Sequence, residues 1–258
     1  MSAWIIIPAR YASSRYPGKP LAMLKDSSGE EKSLIQRTWE TGMAASGVER
    51  VMVATDDDRI AATVRAFGGE VVMTSEDCAN GTERCADALD RLGAVPDLVV
   101  NLQGDAPLTP PWFLEDLIKA MAARPDMGAA TPVLKCDAET YRNLRDDRAA
   151  GRVGGTTAVF GADHSALYFS KEVIPFLPEA EADDPPVYHH VGVYAYRPDV
   201  LKTYVDWPVG PLERNEGLEQ LRFLENGARM LCVEVDARGR LFWELNNPVD
   251  IERIEAVL

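Results

Sequence analysis

Residues 4–20 read WIIIPARYASSRYPGKP, and this stretch decides the fold class. Its four opening residues form a short, continuous apolar run, which is typical of a strand buried on both faces of a parallel sheet. The run ends at Pro8 and is followed by a loop of Ser, Pro and Gly that carries Arg10, Arg15 and Lys19. Ligands of open α/β sheets bind at the carboxyl ends of the strands, so we expect this loop to bind an anion. Forked Arg donors and a Lys point charge suit a polyphosphate, although the spacing is not that of a Walker A loop, and a solvated basic loop is the alternative.

Strands and helices alternate through the first half of the chain. Further buried strands are predicted at 50–55, 71–73 and 97–101, and helices at 33–46, 59–67, 81–91 and 112–123. This alternation predicts βαβ units and therefore an α/β fold with a mostly parallel sheet.

The pattern changes after residue 128. Strands are predicted at 129–134, 157–160, 166–169 and 191–196 with few helices between them, then one amphipathic helix at 212–225, a strand at 230–235 and a helix at 248–258. We interpret residues 1–258 as a single domain. An insertion at about 129–211 would cover the site or make a dimer.

Composition excludes several classes of partner and site. The chain has 258 residues, with 27 basic and 41 acidic side chains and a net charge of −14. Such a protein repels nucleic acid and anionic membranes over most of its surface, so we expect neither as a partner. Its four cysteines form no CxxC pair, which argues against a zinc site or a disulfide framework and favours a cytoplasmic protein.

A second polar segment, Gln103-Gly104-Asp105, follows the predicted strand at 97–101. A carboxylate at this sheet edge, near the basic loop, suits Mg²⁺, which takes one or two carboxylates together with phosphate oxygens. The alternative is an Asp that caps a turn. The acidic run at 56–58 is interpreted as a helix N-cap rather than a metal cluster.

Seven segments carry a resemblance to a known family. They strongly resemble motifs of the CMP-Kdo synthetases, the 3-deoxy-manno-octulosonate cytidylyltransferases. They are IPARYASSRYPGKPL at 7–21, VATDD at 53–57, GTER at 81–84, LQGD at 102–105, ALYFS at 166–170, HVGVYAY at 190–196 and LEQLR at 218–222.

The resemblance implies a Rossmann-like nucleotidyltransferase fold with a smaller mixed dimerisation region. It also implies CTP as donor, a small anionic acceptor, Mg²⁺ as the metal, pyrophosphate as leaving group and a homodimer. The catalytic positions it implies are Arg10, Arg15, Lys19 and Asp105. The nucleotide positions are Pro8, Ala9, Arg10, Arg15, Lys19, Asn80, Gly81 and Gln103. The acceptor positions are Arg84, His189, His190, Tyr194, Glu213 and Gln220, and the metal positions are Asp105 and Asn246.

The departures from the family pattern concern the acceptor and the metal. The family's Val-Lys-Val is Thr156-Thr157-Ala158 here, and the Arg before the family His is His189, so two cations are lost. Adjacent strand residues point to opposite faces, so we expect at most one of the two histidines at 189 and 190 to face the site. Asn246 replaces a second metal carboxylate, for which Glu244 or Asp236 would substitute.

Three functions are therefore open. The first is transfer of CMP to a 3-deoxy-ulosonic sugar acid, and the second is transfer of CMP to a small phosphonate such as phosphonoformate. The third is an inactive homologue that binds nucleotide. The lost cations slightly favour an altered acceptor.

Overall fold

The computed structural model describes residues 1–13, 16–153, 155–178, 183–240, 245 and 247–258. The strands are β1 (Ala3–Ala9), β2 (Met23–Lys25), β3 (Glu31–Ser33), β4 (Arg50–Thr55), β5 (Glu70–Met73), β6 (Leu98–Leu102), β7 (Ala129–Lys135), β8 (Thr157–Phe160), β9 (Ala166–Ser170), β10 (Tyr188–His190), β11 (Val193–Tyr196) and β12 (Met230–Glu234). The helices are α1 (Leu34–Ala44), α2 (Asp58–Ala66), α3 (Gly81–Leu92), α4 (Pro111–Ala123), α5 (Ala138–Ala149), α6 (Pro198–Asp206), α7 (Pro211–Glu216), α8 (Leu221–Glu225) and α9 (Asp250–Glu255). None of the helices in these ranges is long and apolar enough to cross a bilayer.

One ten-stranded sheet organises the described residues. Its order is β5-β4-β1-β6-β11-β7-β10-β8-β9, and β12 pairs with β7. The first four strands are parallel, β11 is antiparallel to β6, and β10, β8 and β9 extend the sheet in antiparallel pairs. The α/β fold with parallel central strands is therefore confirmed.

Strand β1 is buried on both faces, as its apolar sequence predicts. Ile5 and Ile7 pack into the core on one side of the sheet. Trp4 and Ile6 pack into the core on the other side. Burying one such side chain contributes about 1.5–3 kcal/mol. The two apolar layers hold β1 at the centre and fix where its carboxyl end emerges.

The acidic run at the start of α2 is a helix cap. The Asp57 side chain accepts hydrogen bonds from the backbone N–H groups of Arg59 and Ile60. Asp56 instead forms an ion pair with Arg84. The N-cap interpretation is confirmed, and within the described ranges no cluster of three or more potential ligands for a metal is found.

The second half contains the predicted strands but more helix than the sequence pattern predicts. In the described residues α5 lies between the predicted strands and α6 follows the last of them, and the sequence analysis names neither helix. Helix α5 has only Tyr141 and Leu144 as buried residues, so its apolar periodicity is weak. The prediction of one continuous helix at 212–225 is wrong. Gly217, in the left-handed region at φ 62°, ends α7, and α8 begins at Leu221. The strands between residues 129 and 211 join the main sheet, and a dimerisation role for this stretch stays a prediction.

Candidate active site

A cavity of about 850 Å³ lies at the carboxyl ends of β1 and β6. From β1 the chain proceeds to β4 and β5 on one side, and it returns to place β6 on the other side. The strand order therefore reverses between the neighbouring strands β1 and β6. The crevice outside their carboxyl ends is the usual ligand site of an open α/β sheet. The approach is close, because a Cβ at Gly104 would lie 2.8 Å from the carbonyl oxygen of Pro8.

The basic loop after β1 is folded back on itself. The backbone N–H of Gly18 donates to the carbonyl of Tyr11 at 2.9 Å. Gly18 has φ 72°, and a Cβ there would lie 2.9 Å from the Tyr11 ring. A short 3₁₀ turn, Lys19–Leu21, follows. The turn directs Lys19 into the cavity, which Arg10 also lines.

Lys19 and Asp105 form an ion pair across the cavity. Lys19 Nζ lies 2.6 Å from Asp105 Oδ2, with side chains 14% and 27% exposed. The pair joins the loop after β1 to the loop after β6. The Lys19 ammonium group thus contacts the Asp105 carboxylate directly.

The start of α3 forms another part of the lining. Asn80 caps this helix, and its side chain accepts from the backbone N–H of Glu83 at 2.8 Å. Gly81 follows, and a Cβ there would lie 2.7 Å from Gln103 Nε2 and 3.2 Å from Pro8 Cγ. A larger residue at position 81 would therefore displace the Gln103 amide from the helix N-terminus.

The segment around α8 is bound to the start of α3. The Glu219 carboxylate accepts from the backbone N–H of Thr82 at 3.2 Å. Arg222 donates to Glu83 Oε1 at 3.0 Å. The GTER and LEQLR motifs therefore form one structural unit beside the cavity.

Glu213 is placed differently from the other acceptor candidates. It is buried and makes a two-pronged ion pair with Arg222, with N–O distances of 2.6 and 2.7 Å. Within the described part of the chain it is not a lining residue of the cavity. Both carboxylate oxygens of Glu213 bond to Arg222, so this residue forms a structural ion pair. Its contact with the acceptor stays a prediction.

Arg84 lines the cavity, and both terminal nitrogens of its guanidinium already make hydrogen bonds. Its guanidinium contacts Asp56 at 2.9 Å and the Thr74 hydroxyl at 2.6 Å. It is 2% exposed. Its charge therefore lies near the cavity. Its hydrogen bonds connect α3 to the residues that follow β4 and β5.

Both His189 and His190 are lining residues of the cavity, and the expectation that at most one of the two side chains faces it stays a prediction. Both histidines lie within β10 and pair in regular register with β7, His189 with Leu134 and His190 with Val133. Burial lowers the pKa of His189 to about 4, and burial together with the charge of His189 lowers that of His190 to about 3. At neutral pH both rings are uncharged, and His190 Nε2 lies 3.0 Å from the Thr131 hydroxyl.

Gln220 offers a hydrogen-bond donor that nothing in the described residues uses. Its Oε1 accepts from the Tyr194 hydroxyl at 3.2 Å. Its Nε2 is buried and finds no acceptor among the described residues. Since a buried donor without a partner is costly, a ligand with an acceptor group at this point would stabilise it.

Lys171 is a site residue that the sequence analysis missed. It follows β9 and lines the cavity, and a Cβ at Gly217 would lie 3.0 Å from its Nζ. Neither Lys171 nor Arg10 lies within ion-pair distance of an acid in the described ranges. The two cations missing from the family pattern therefore leave Lys171 as another positive charge at the cavity. The clue was available in the sequence, because Lys171 directly follows the ALYFS motif.

The cavity is locally basic in an acidic protein. Among described residues its charged lining consists of Arg10, Lys19, Arg84 and Lys171 against Asp105 and Glu219. The chain as a whole carries a charge of −14. The local reversal of sign favours an anionic ligand.

Most of the predicted site residues lie together. Those that line the cavity are Pro8, Ala9, Arg10, Lys19, Asn80, Gly81, Arg84, Gln103, Asp105, His189, His190, Tyr194 and Gln220. Three others lie outside the described residues, namely Arg15, Glu244 and Asn246. Asp236 is not a lining residue in the described part, and its carboxylate accepts from the backbone N–H of Arg238.

The described residues fit a Mg²⁺ ion that arrives with phosphate ligands of its own. Of the two described carboxylates that line the cavity, Asp105 is the one that pairs with the basic loop, and it is partly exposed. Mg²⁺ commonly takes one or two carboxylates together with substrate phosphates, so a single carboxylate is a sufficient protein anchor.

Comparison with known proteins agrees with this geometry. A family model described as cytidylyltransferase matches residues 4–232. The 3-deoxy-manno-octulosonate cytidylyltransferase of Maricaulis maris is 46% identical over 258 residues, covering 100% of this chain and 97% of that protein. The chain belongs to the 3-deoxy-manno-octulosonate cytidylyltransferase family. It is therefore a nucleotidyltransferase.

Members of this family differ in their named acceptors. An 8-amino-3,8-dideoxy-manno-octulosonate cytidylyltransferase of Shewanella piezotolerans is 43% identical over 260 residues, covering 100% of this chain and 99% of that protein. A solved structure of CMP:2-keto-3-deoxy-manno-octonic acid synthetase in complex with CTP superposes with a TM-score of 0.85 at 35% identity. It covers 99% of this chain and 98% of the solved one. The family resemblance seen in the motifs is confirmed along the whole chain.

Proposed function

We propose that this protein transfers CMP from CTP to a 3-deoxy-octulosonic sugar acid and releases pyrophosphate. The observation that carries the proposal is the cavity at the strand reversal. It combines the Lys19–Asp105 pair with Lys171 and with Gln220 Nε2, which has no acceptor among the described residues. The Lys19–Asp105 ion pair suits a metal–triphosphate. Lys171 and the Gln220 amide nitrogen suit the carboxylate of a sugar acid.

The chemistry required of the chain is positioning and charge neutralisation. An acceptor hydroxyl oxygen attacks the α-phosphorus of CTP and gives up its proton to water, the bond from the α-phosphorus to the oxygen that bridges it to the β-phosphorus breaks, and pyrophosphate leaves. Lys19 and Arg10 stabilise the charge that develops on the leaving group. When bound at Asp105, Mg²⁺ would supply further neutralisation of phosphate charge and polarise the reacting oxygens.

The acceptor is held by groups of different kinds. The Lys171 ammonium supplies a positive charge for a carboxylate. Gln220 Nε2 supplies a donor, and the neutral His189 ring supplies a polar surface. This set suits one carboxylate on a polyhydroxylated chain. It is less suited to a compact phosphonate trianion, for which more cations would be needed.

Pyrophosphate release with matched panels tests the proposal. We expect turnover with CTP and not with ATP or GTP, and with 3-deoxy-manno-octulosonate or its 8-amino analogue rather than phosphonoformate. Lys171→Met should raise the KM for the sugar acid and leave the KM for CTP unchanged. Turnover with phosphonoformate alone would show that the acceptor assignment is wrong, and CTP binding without turnover on any acceptor would indicate an inactive homologue.

We further infer a homodimer that works in the cytoplasm. Edge strand β9 carries Leu167 at 65% exposure, and Phe176 beyond it is 90% exposed. A large apolar side chain exposed to this degree near a sheet edge favours a protein contact. The four cysteines are free thiols, which suits a reducing compartment. Sedimentation of wild type and Phe176→Ser tests the dimer, and a wild-type monomer would contradict it.

A further inference from the structure

Glu219 joins two elements that line the cavity. It lies in the short link between α7 and α8 that the break at Gly217 creates. Its Oε2 accepts from the backbone N–H of Thr82 at 3.2 Å, and its Oε1 accepts from Gln103 Nε2 at 3.4 Å. One carboxylate thus contacts both the start of α3 and the residue that follows β6.

This carboxylate is held in an unfavourable place. Burial raises the pKa of Glu219 above its ordinary value, and the hydrogen bonds from Thr82 oppose that rise. A buried carboxylate is costly unless donors surround it. The Gln103 amide is one of the few donors within reach.

The orientation of the Gln103 amide follows from its neighbours. An ionised carboxylate only accepts hydrogen bonds, so the NH₂ group of Gln103 must face Glu219. The amide is also packed against Gly81, where a Cβ would lie 2.7 Å from Nε2 and 3.1 Å from Oε1. With the NH₂ group turned to Glu219, Oε1 is the atom that Gln103 has available for a ligand.

We propose that Glu219 is a positioning residue that fixes the Gln103 amide so that its oxygen faces the bound nucleotide. The inference rests on the proposed function, because the nucleotide is CTP. The CTP group that meets Gln103 must then be a hydrogen-bond donor, such as an amino or hydroxyl group. An amide that is free to flip would present its own NH₂ group there and repel that donor.

A double-mutant cycle on CTP affinity tests the proposal. Glu219→Gln keeps the size of the side chain and an oxygen for Thr82, but its NH₂ group then faces Gln103 and favours the flipped amide, whose oxygen accepts that bond. We expect the dissociation constant for CTP to rise about five- to tenfold, which is the effect of one misdirected hydrogen bond. In a Gln103→Ala background the same change should have no further effect. Calorimetric titration measures both, and thermal unfolding checks that each variant is folded.

Glu216→Gln is the matched control, because Glu216 bonds to the Ser170 hydroxyl and the backbone N–H of Lys171 rather than to Gln103. It should leave CTP affinity unchanged. An equal loss from Glu219→Gln in both backgrounds would overturn the proposal, and so would no loss in either. Wild-type protein that does not bind CTP would overturn the proposed function itself, and the positioning role with it.

Discussion

Replacing Lys19 by methionine should strengthen the binding of a divalent cation to the nucleotide-free protein. The Lys19 ammonium lies 2.6 Å from Asp105 Oδ2 and competes directly for that carboxylate. Methionine keeps much of the apolar stem and removes the charge. The freed carboxylate then becomes available to a metal ion.

The size of the effect follows from the burial of the pair. Hydrogen bonds to charged groups contribute about 1.5–3 kcal/mol when they are shielded from water. The side chains are 14% and 27% exposed, and the cavity is open to solvent, so the lower end applies. About 1.4 kcal/mol corresponds to a tenfold change in affinity. Lys19→Met should therefore bind Mn²⁺, a spectroscopic substitute for Mg²⁺, about tenfold more tightly than wild type.

Electron paramagnetic resonance of free Mn²⁺ measures this affinity without nucleotide. Lys171→Met is the matched control, because it removes another cavity cation that lies outside the ion pair, and it should bind Mn²⁺ as wild type does. Asp105→Asn should lose the site. The reasoning is refuted if Lys19→Met binds Mn²⁺ as weakly as wild type or more weakly. The same variant should lose turnover by orders of magnitude, because the leaving pyrophosphate loses its counter-charge.

Three further predictions concern ligand fit, stability and pH. Gly81→Ala should weaken CTP binding at least tenfold in calorimetry with little change in Tm, since its Cβ would lie 2.7 Å from Gln103 Nε2; unchanged affinity would contradict the packing argument. Glu213→Gln should lower the free energy of unfolding by about 3 kcal/mol in urea, because Arg222 would stay buried with a weakened partner; a loss below about 1 kcal/mol would place the pair among ordinary surface ion pairs. Burial lowers the pKa of His190 to about 3, so between about pH 6.5 and 3 the unfolded chain binds more protons than the folded one. Stability should fall as the pH drops through that window, and His190→Gln should show a flatter fall than wild type; parallel curves would count against it.

Much of the first half could be predicted because each element has a strong local signal. Strand β1 has an unbroken apolar run, and the acidic residue that caps α2 directly precedes its apolar spacing. The second half offered weaker signals. Helix α5 buries few apolar residues, so its periodicity is faint, and the start of α6 is marked mainly by Pro198 in its first turn.

The site could be predicted where motif and topology agree. Arg10, Lys19 and Asp105 follow strands that meet at one sheet edge, which the alternation of strands and helices already indicates. The Glu213–Arg222 pair could not be inferred, because both residues lie in an amphipathic segment whose break at Gly217 is a tertiary feature. Lys171 directly follows the ALYFS motif, but its proximity to the cavity also depends on how β9 packs beside α7 and α8.

The most direct test of the central claim is phosphorus NMR of a reaction with CTP, Mg²⁺ and 3-deoxy-manno-octulosonate. We predict loss of the CTP signals with equal growth of one phosphodiester signal and of pyrophosphate. The 8-amino analogue is the parallel reaction and should give the same pattern if the cavity accepts both. A CMP monoester signal without a diester, or CTP that persists with both acceptors, would contradict the assignment of this protein as a sugar-acid cytidylyltransferase.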